Sequence, residues 1–67
     1  MNEWFLADMQ RVENAIRDAG FVPYDQIFGY VMTGNSAYIT RRDGARETVT
    51  GMDTELLQRY LLHRKSP

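Results

Sequence analysis

Residues Gly20 to Thr40 read GFVPYDQIFGYVMTGNSAYIT, and the glycine, proline and apolar residues in this segment indicate its local structure. Pro23 suits the first position of a helix, because its missing N–H would have no helical partner there. Four apolar residues then follow at i, i+3, i+4 and i+7, which is one helical stripe: Tyr24, Ile27, Phe28 and Val31. Gly34 ends the run. The segment therefore predicts a helix that begins at Pro23 and ends before Gly34.

Gly29 lies in the middle of this predicted helix. Glycine there costs roughly 1 kcal/mol relative to alanine. A helix that accepts this cost often does so to let another part of the molecule come close. We therefore expect a neighbouring backbone to approach the helix at Gly29.

Two further helices are predicted on either side of this segment. The first covers residues 3–19, with Asn2 as its N-cap, a stop at Gly20, and an apolar stripe formed by Phe5, Met9, Val12, Ile16 and Ala19. The last begins after Asp53, which caps it, and its apolar residues are Leu56, Leu57, Tyr60 and Leu61.

Residues 38–50 support two local interpretations. Asp43-Gly44 is a typical type I′ hairpin turn, but pairing around it places Arg41 opposite Arg46, and like charges repel across strands. The alternative is a helix with Thr40 as N-cap, in which Ala45, Val49 and Met52 share a face and Gly51 forms the end. Local signals alone divide about evenly between the two.

Size and composition indicate a single domain over residues 1–67 that needs a partner. A core this small rarely supplies more than about 3–5 kcal/mol. The chain has no Cys and one His, so a disulfide, a thiolate zinc site and common catalytic arrangements are not expected. We predict no metal, no cofactor and no enzymatic activity. Oligomerisation is then the expected source of additional stability.

Charge and hydropathy narrow the expected partners. The net charge is −1, which does not favour nucleic acid binding. The longest apolar run is Trp4–Ala7, far shorter than the roughly 20 residues that span a bilayer. We expect a cytoplasmic protein that does not insert into membranes.

Four Tyr, three Phe and one Trp are many aromatic side chains for so short a chain to bury. Aromatic residues are favoured in protein interfaces, and a two-fold interface buries the same patch twice. We therefore predict a homodimer formed by the second and last helices. Its expected contributors are Tyr24, Phe28, Tyr30, Val31, Leu57, Tyr60 and Leu61.

Arg41, Arg42 and Arg46 cluster on one turn if their segment is helical. Such a cluster can contact phosphate or an acidic partner, or it can form a solvated face. The second helix, the Gly34 turn and this segment also resemble a helix-turn-helix DNA reader. That class usually has a pI above about 9, whereas this chain has a pI near 5.7. DNA binding is therefore the alternative rather than the first hypothesis.

The run from Gly20 to Thr40 also resembles the signature of the IreB family, small regulatory phosphoproteins of Gram-positive bacteria. The resemblance rests on the QIFGY core at 26–30, the end GNSAYIT at 34–40, and the pair Ala45-Arg46. The sequence departs from the family pattern at Asp25, Asn35 and Ser36, where the family tends to have Asn, Asp and Pro.

The resemblance implies an all-helical homodimer, which favours helix over hairpin for residues 38–50. It also implies a non-enzymatic regulator that contacts an unidentified protein in signalling linked to a Ser/Thr kinase, cell-envelope stress and antibiotic resistance. Family members are phosphorylated on N-terminal Thr residues, and this chain has no Ser or Thr before Thr33. No phosphorylation site is therefore assigned from the resemblance.

Overall fold

The computed structural model describes residues 3–65, and within that range the chain is helical, with no strand. Its four helices are α1 (Glu3–Asp18), α2 (Pro23–Thr33), α3 (Ala45–Thr50) and α4 (Thr54–Lys65). Two short 3-10 segments, Ser36–Tyr38 and Arg42–Gly44, lie between α2 and α3. The predicted all-helical class is confirmed. The predicted cap at Asn2 lies outside the described residues.

Helix α1 ends at a Schellman motif centred on Gly20, as its sequence predicts. Gly20 has a φ of 90°, which is readily available to glycine. The N–H of Gly20 donates to the Arg17 carbonyl at 2.9 Å, and that of Phe21 donates to the Ile16 carbonyl at 3.1 Å. After this motif the chain begins α2 at Pro23, five residues after the end of α1 at Asp18.

Helix α2 begins at Pro23 and ends at Thr33, before its C-cap Gly34, both as predicted. Gly34 has a φ of 73°, and its N–H donates to the Tyr30 carbonyl at 2.7 Å. In the middle of the helix, the ring of Tyr38 lies directly on Gly29. A Cβ added to Gly29 would meet ring atoms Cγ and Cε1 of Tyr38 at 2.8 Å. The expected close approach is confirmed, but an aromatic ring makes it rather than a backbone.

The link between α2 and α3 contains the backbone of a type I′ turn without a hairpin. Asp43 has φ 51° and ψ 30°, and Gly44 has φ 74° and ψ 16°. The N–H of Ala45 donates to the Arg42 carbonyl, which closes the turn. A helix follows the turn instead of a strand, so the Asp43-Gly44 signal was correct for the turn and wrong for the element after it.

The helical interpretation of residues 38–50 was correct in type and wrong at its start. Helix α3 begins at Ala45, with Gly44 as its N-cap. The hydroxyl of Thr40 instead accepts a hydrogen bond from the Arg42 N–H at 3.3 Å, so Thr40 supports the turn that precedes the helix. The positive φ values at Asp43 and Gly44 prevent α3 from beginning earlier.

Helix α4 begins as predicted, because the Asp53 carboxylate accepts a hydrogen bond from the Glu55 N–H at 2.8 Å. Helices α1 and α3 pack together, as do α2 and α4, and α1 also contacts α2. Each helix and the α2–α3 link contribute to the core an aliphatic side chain with no exposed surface: Ile16, Ile27, Ile39, Val49 and Leu57.

Candidate interaction surface

An apolar groove of about 270 Å³ runs between α2 and α4 on the outside of the molecule. Its lining carries no charged side chain and consists of Tyr24, Val31, Met32, Gln58, Leu61 and Leu62. Helix α2 has one fully buried residue, Ile27, so much of its apolar surface remains outside the core. Part of this apolar surface lines the groove, through Tyr24, Val31 and Met32.

Three large apolar side chains on these two helices remain substantially exposed. Phe28 is 44% exposed, Met32 is 66% exposed and Leu62 is 70% exposed. The ring of Phe28 stacks on that of Tyr24, with centroids 5.7 Å apart and planes 14° from parallel. Stacking orders the two rings, so this part of the surface is a defined shape.

The residues predicted for a dimer interface divide into two groups. Tyr24, Tyr30 and Val31 are half-buried and Phe28 is exposed, so all four retain surface that a second chain could contact. The three from α4 instead belong to the core of the chain itself: Leu57 is 0% exposed, Tyr60 4% and Leu61 6%. Leu61 reaches the groove as part of its floor.

Sequence reasoning missed Met32 and Leu62 as parts of this surface. Met32 lies four residues after Phe28, which places both on the same side of α2. Leu62 follows the buried Leu61 on α4. The sequence could have identified both as apolar residues that lie next to the core stripe of their helix rather than within it.

The three arginines predicted to share a helical turn do not do so. Arg41 and Arg42 are exposed in the link before α3, whereas Arg46 lies in the first turn of α3. The Nε of Arg46 donates to the Ile39 carbonyl at 2.9 Å and thereby secures the link. The single-turn cluster was wrong because the turn at Asp43 separates Arg42 from the helix.

The geometry between α2 and α3 differs from that of a helix-turn-helix. That motif joins its helices through a turn of about three or four residues. Here residues 34–44 separate α2 from α3, and α3 has 6 residues, one of which is the engaged Arg46. The arrangement on which the DNA-binding alternative was based is not formed.

The remaining candidate chemistry is sparse over residues 3–65. No group of three or more His, Asp or Glu side chains is placed to hold a metal ion in this range. His63, the one histidine of the chain, lies exposed near the end of α4. None of the helices described is long and apolar enough to cross a membrane.

The described fold is thus a small helical domain with an uncharged, largely apolar groove on its outer surface between α2 and α4. The family model of the IreB regulatory phosphoproteins matches residues 3–64, which includes all four helices except the last residue of α4. The chain therefore belongs to the IreB family. This membership confirms the resemblance seen between Gly20 and Thr40, and it supports a regulatory role for the protein.

Proposed function

We propose that this chain is a non-enzymatic regulator that acts as a homodimer in the cytoplasm, through contacts with other proteins. The observation that carries the proposal is the uncharged groove between α2 and α4, which is lined by exposed Met32 and Leu62 and by Tyr24, on which exposed Phe28 stacks. The dimer would bury this surface, and the regulatory role is the one that the family indicates.

Exposed apolar area is what makes this surface a candidate interface. Burial of apolar surface contributes roughly 25 cal/mol per Å², and monomers seldom expose contiguous apolar patches larger than a few hundred Å². A second copy related by a two-fold axis would cover Phe28 and Met32 of both chains at once. The absence of charged side chains in the groove lining matches the core of such interfaces, which are depleted of charge.

The structure narrows the set of residues that we propose for this contact. Tyr24, Phe28, Tyr30 and Val31 remain from the predicted set, and Met32 and Leu62 join them. Leu57 is omitted because it has no exposed surface left to bury against a second chain. Tyr60 and Leu61 would act indirectly, by supporting the groove from the core.

We further propose that the protein works in signalling linked to a Ser/Thr kinase and to cell-envelope stress. The family description as a phosphoprotein supports this link. Incubation with a cognate kinase, followed by mass mapping, tests it. Phosphate incorporated into a Ser or Thr of this chain supports a direct link, and an unmodified chain under conditions that modify another family member contradicts it.

Sedimentation equilibrium of the wild-type chain and two variants tests the dimer. We expect a mass near twice 7.8 kDa for the wild type. Phe28→Asp should move the mass toward that of one chain, because the new carboxylate would be buried in the interface. Leu6→Asp on α1 is the matched control, since Leu6 is 48% exposed and Phe28 44%, and it should leave the dimer intact.

Far-UV circular dichroism on the same samples separates dissociation from unfolding. A wild-type chain that stays monomeric and helical at tens of micromolar contradicts the proposed dimer. Equal weakening by Phe28→Asp and Leu6→Asp contradicts its placement on α2 and α4.

A further inference from the structure

A second cavity, of about 280 Å³, lies where the second half of α1, the start of α2 and the end of α4 meet. Its lining includes three charged side chains, those of Glu13, Arg17 and Arg64. The start of α2 contributes apolar surface to the same lining through Val22, Pro23 and the ring of Tyr24. Apolar surface combined with a few polar groups is typical of a site that orients a ligand.

The buried carboxylate of Glu13 forms ion pairs with both arginines of the cavity. Its side chain is 5% exposed, whereas those of Arg17 and Arg64 are 54% and 53% exposed. The Arg64 Nη2 lies 3.3 Å from Glu13 Oε1, and the Arg17 Nη2 lies 4.0 Å from the same oxygen. One buried carboxylate therefore gathers two guanidinium groups that remain open to solvent.

Arg64 is constrained further by Tyr60. Its Nε donates to the Tyr60 hydroxyl at 3.2 Å, and its Cζ lies 5.2 Å from the centre of the Tyr60 ring. A guanidinium has five N–H donors in a fixed planar arrangement. Arg64 donates some of these N–H groups to Glu13 and Tyr60. Its other N–H groups remain available to a ligand in the cavity.

The start of α2 adds to the positive character of the cavity. Val22, the N-cap residue, provides no side-chain hydrogen bond to the helix, and Pro23 follows it at the first helical position. The first-turn N–H groups of a helix carry the positive end of its dipole. This helix start lines the same cavity as Arg17 and Arg64, and the acidic Asp25 of its first turn is not part of the lining.

The charge of the lining indicates which anion fits. Two guanidinium groups and one carboxylate leave a single net positive charge among Glu13, Arg17 and Arg64. A monoanion neutralises that charge, whereas a dianion would leave an excess of negative charge next to the buried Glu13. Planar guanidinium donors also match the two oxygens of a carboxylate.

We infer that this cavity binds a carboxylate attached to an apolar group. The carboxylate would lie between Arg17 and Arg64, and the apolar group would contact Val22, Pro23 and the Tyr24 ring. Either a peptide carboxyl terminus or a small organic acid presents this chemistry. The site shares Tyr24 with the surface proposed for the dimer, but Arg17 and Arg64 do not belong to that surface, so substitutions at the arginines test the cavity separately.

NMR titration of the full chain with four probes tests the inference and separates its two sources. N-acetylleucine represents a peptide terminus, and its amide is the uncharged control. Benzoate represents a small organic acid, and inorganic phosphate, held at a pH above its second pKa, represents a dianion. We expect a carboxylate to shift the side-chain Nε–Hε signals of Arg17 and Arg64, with the amide giving no shift and phosphate binding more weakly. Tighter binding of N-acetylleucine than of benzoate indicates a peptide terminus as the source, and the reverse order indicates a small organic acid.

Two substitutions locate the site. Arg17→Gln should weaken carboxylate binding at least tenfold, because it removes one guanidinium and the net positive charge. Arg59→Gln is the matched control, since Arg59 also forms an (i, i+4) ion pair on its helix, with Glu55 at 3.3 Å, and lies outside this cavity. It should leave the affinity unchanged.

Glu13→Gln tests whether Glu13 affects ligand selectivity. If Glu13 only formed a structural ion pair, this substitution would not change the affinity for phosphate relative to that for N-acetylleucine. It raises the net charge of the lining by one, so phosphate should gain at least fivefold relative to N-acetylleucine. If Glu13→Gln fails to fold, the comparison of Arg17→Gln with Arg59→Gln still decides the question. No shift with either carboxylate, equal weakening by both arginine variants, or tighter binding of phosphate than of carboxylate by the wild type overturns the inference.

Discussion

The aromatic ring of Tyr38 occupies the space that a side chain at Gly29 would need. Ring atoms Cγ and Cε1 lie 2.8 Å from the position of a Cβ on Gly29, well inside normal contact distance. Tyr38 belongs to the 3-10 segment after α2, so this contact folds the link back onto the helix that precedes it. Gly29 in mid-helix is thereby explained by packing.

Gly29→Ala should destabilise the protein even though alanine favours helices by about 1 kcal/mol over glycine. Overpacking of this kind typically costs about 1–3 kcal/mol, because the Tyr38 ring must leave its position. The free energy of unfolding, measured in urea, checks the prediction. Gly51→Ala is the control: a Cβ there would first meet the Glu47 carbonyl oxygen at 3.6 Å, and it should not destabilise.

A double substitution isolates the contact with the ring. Tyr38→Ala removes the obstacle, so adding Gly29→Ala in that background should recover the helix propensity of alanine. If Gly29→Ala costs the same with and without the Tyr38 ring, the ring is not the cause.

Asp43 is the one non-glycine residue with positive φ among residues 3–65, at 51°. This left-handed conformation costs most residues roughly 1–2 kcal/mol, and Asp and Asn adopt it more readily. Asp43→Ala should therefore lower stability by about 1 kcal/mol, whereas Asp43→Asn should leave it nearly unchanged. Thermal unfolding of both variants provides the test, and equal loss would exclude the backbone conformation as the reason.

Arg46 has a structural role that its neighbours in sequence lack. Its Nε donates to the Ile39 carbonyl at 2.9 Å, beside the fully buried Ile39 side chain. Arg46→Ala would remove that donor at a cost of about 1–3 kcal/mol. Arg42→Ala, at an exposed position, should change the urea midpoint much less, and a reversed order of the two variants would contradict this role.

The ion pair of Glu13 with Arg64 should contribute more to stability than an exposed pair of the same length. Both Arg64–Glu13 and Arg59–Glu55 have N···O distances of 3.3 Å, but the Glu13 side chain is 5% exposed and that of Glu55 is 72%. Arg64→Ala removes the closer partner of a buried carboxylate and should cost about 1–3 kcal/mol. Arg59→Ala should cost about 0.5 kcal/mol or less.

Chemical unfolding of these two variants gives the comparison directly. Circular dichroism before denaturation checks that α4 is still formed in each. A loss for Arg59→Ala as large as that for Arg64→Ala would show that burial of Glu13 does not strengthen its pairing.

Helix ends were predictable from the sequence because they depend on local chemistry. Gly20 and Gly34 end α1 and α2 with positive φ, Pro23 begins α2, and Asp53 caps α4. Each signal acts within a few residues, through steric limits on φ and the unpaired N–H and C=O groups of a helix end. The pair Asp43-Gly44 is of the same kind, since its turn formed as the sequence indicated.

Properties that depend on contacts between distant residues could not be obtained in this way. Leu57, Tyr60 and Leu61 have the same apolar pattern whether they meet their own core or a second chain. Packing of α4 against α2, together with the contact of the Tyr60 ring with Phe5 of α1, places them in the core. The segment after Asp43-Gly44 became helical rather than extended because Ala45 and Val49 are buried there, in contact with α1. Glu13 and Arg64 are 51 residues apart in the chain, and only the tertiary structure brings them together. Local chemistry specified where each helix starts and stops, and long-range packing determined which faces are buried and which remain open to partners.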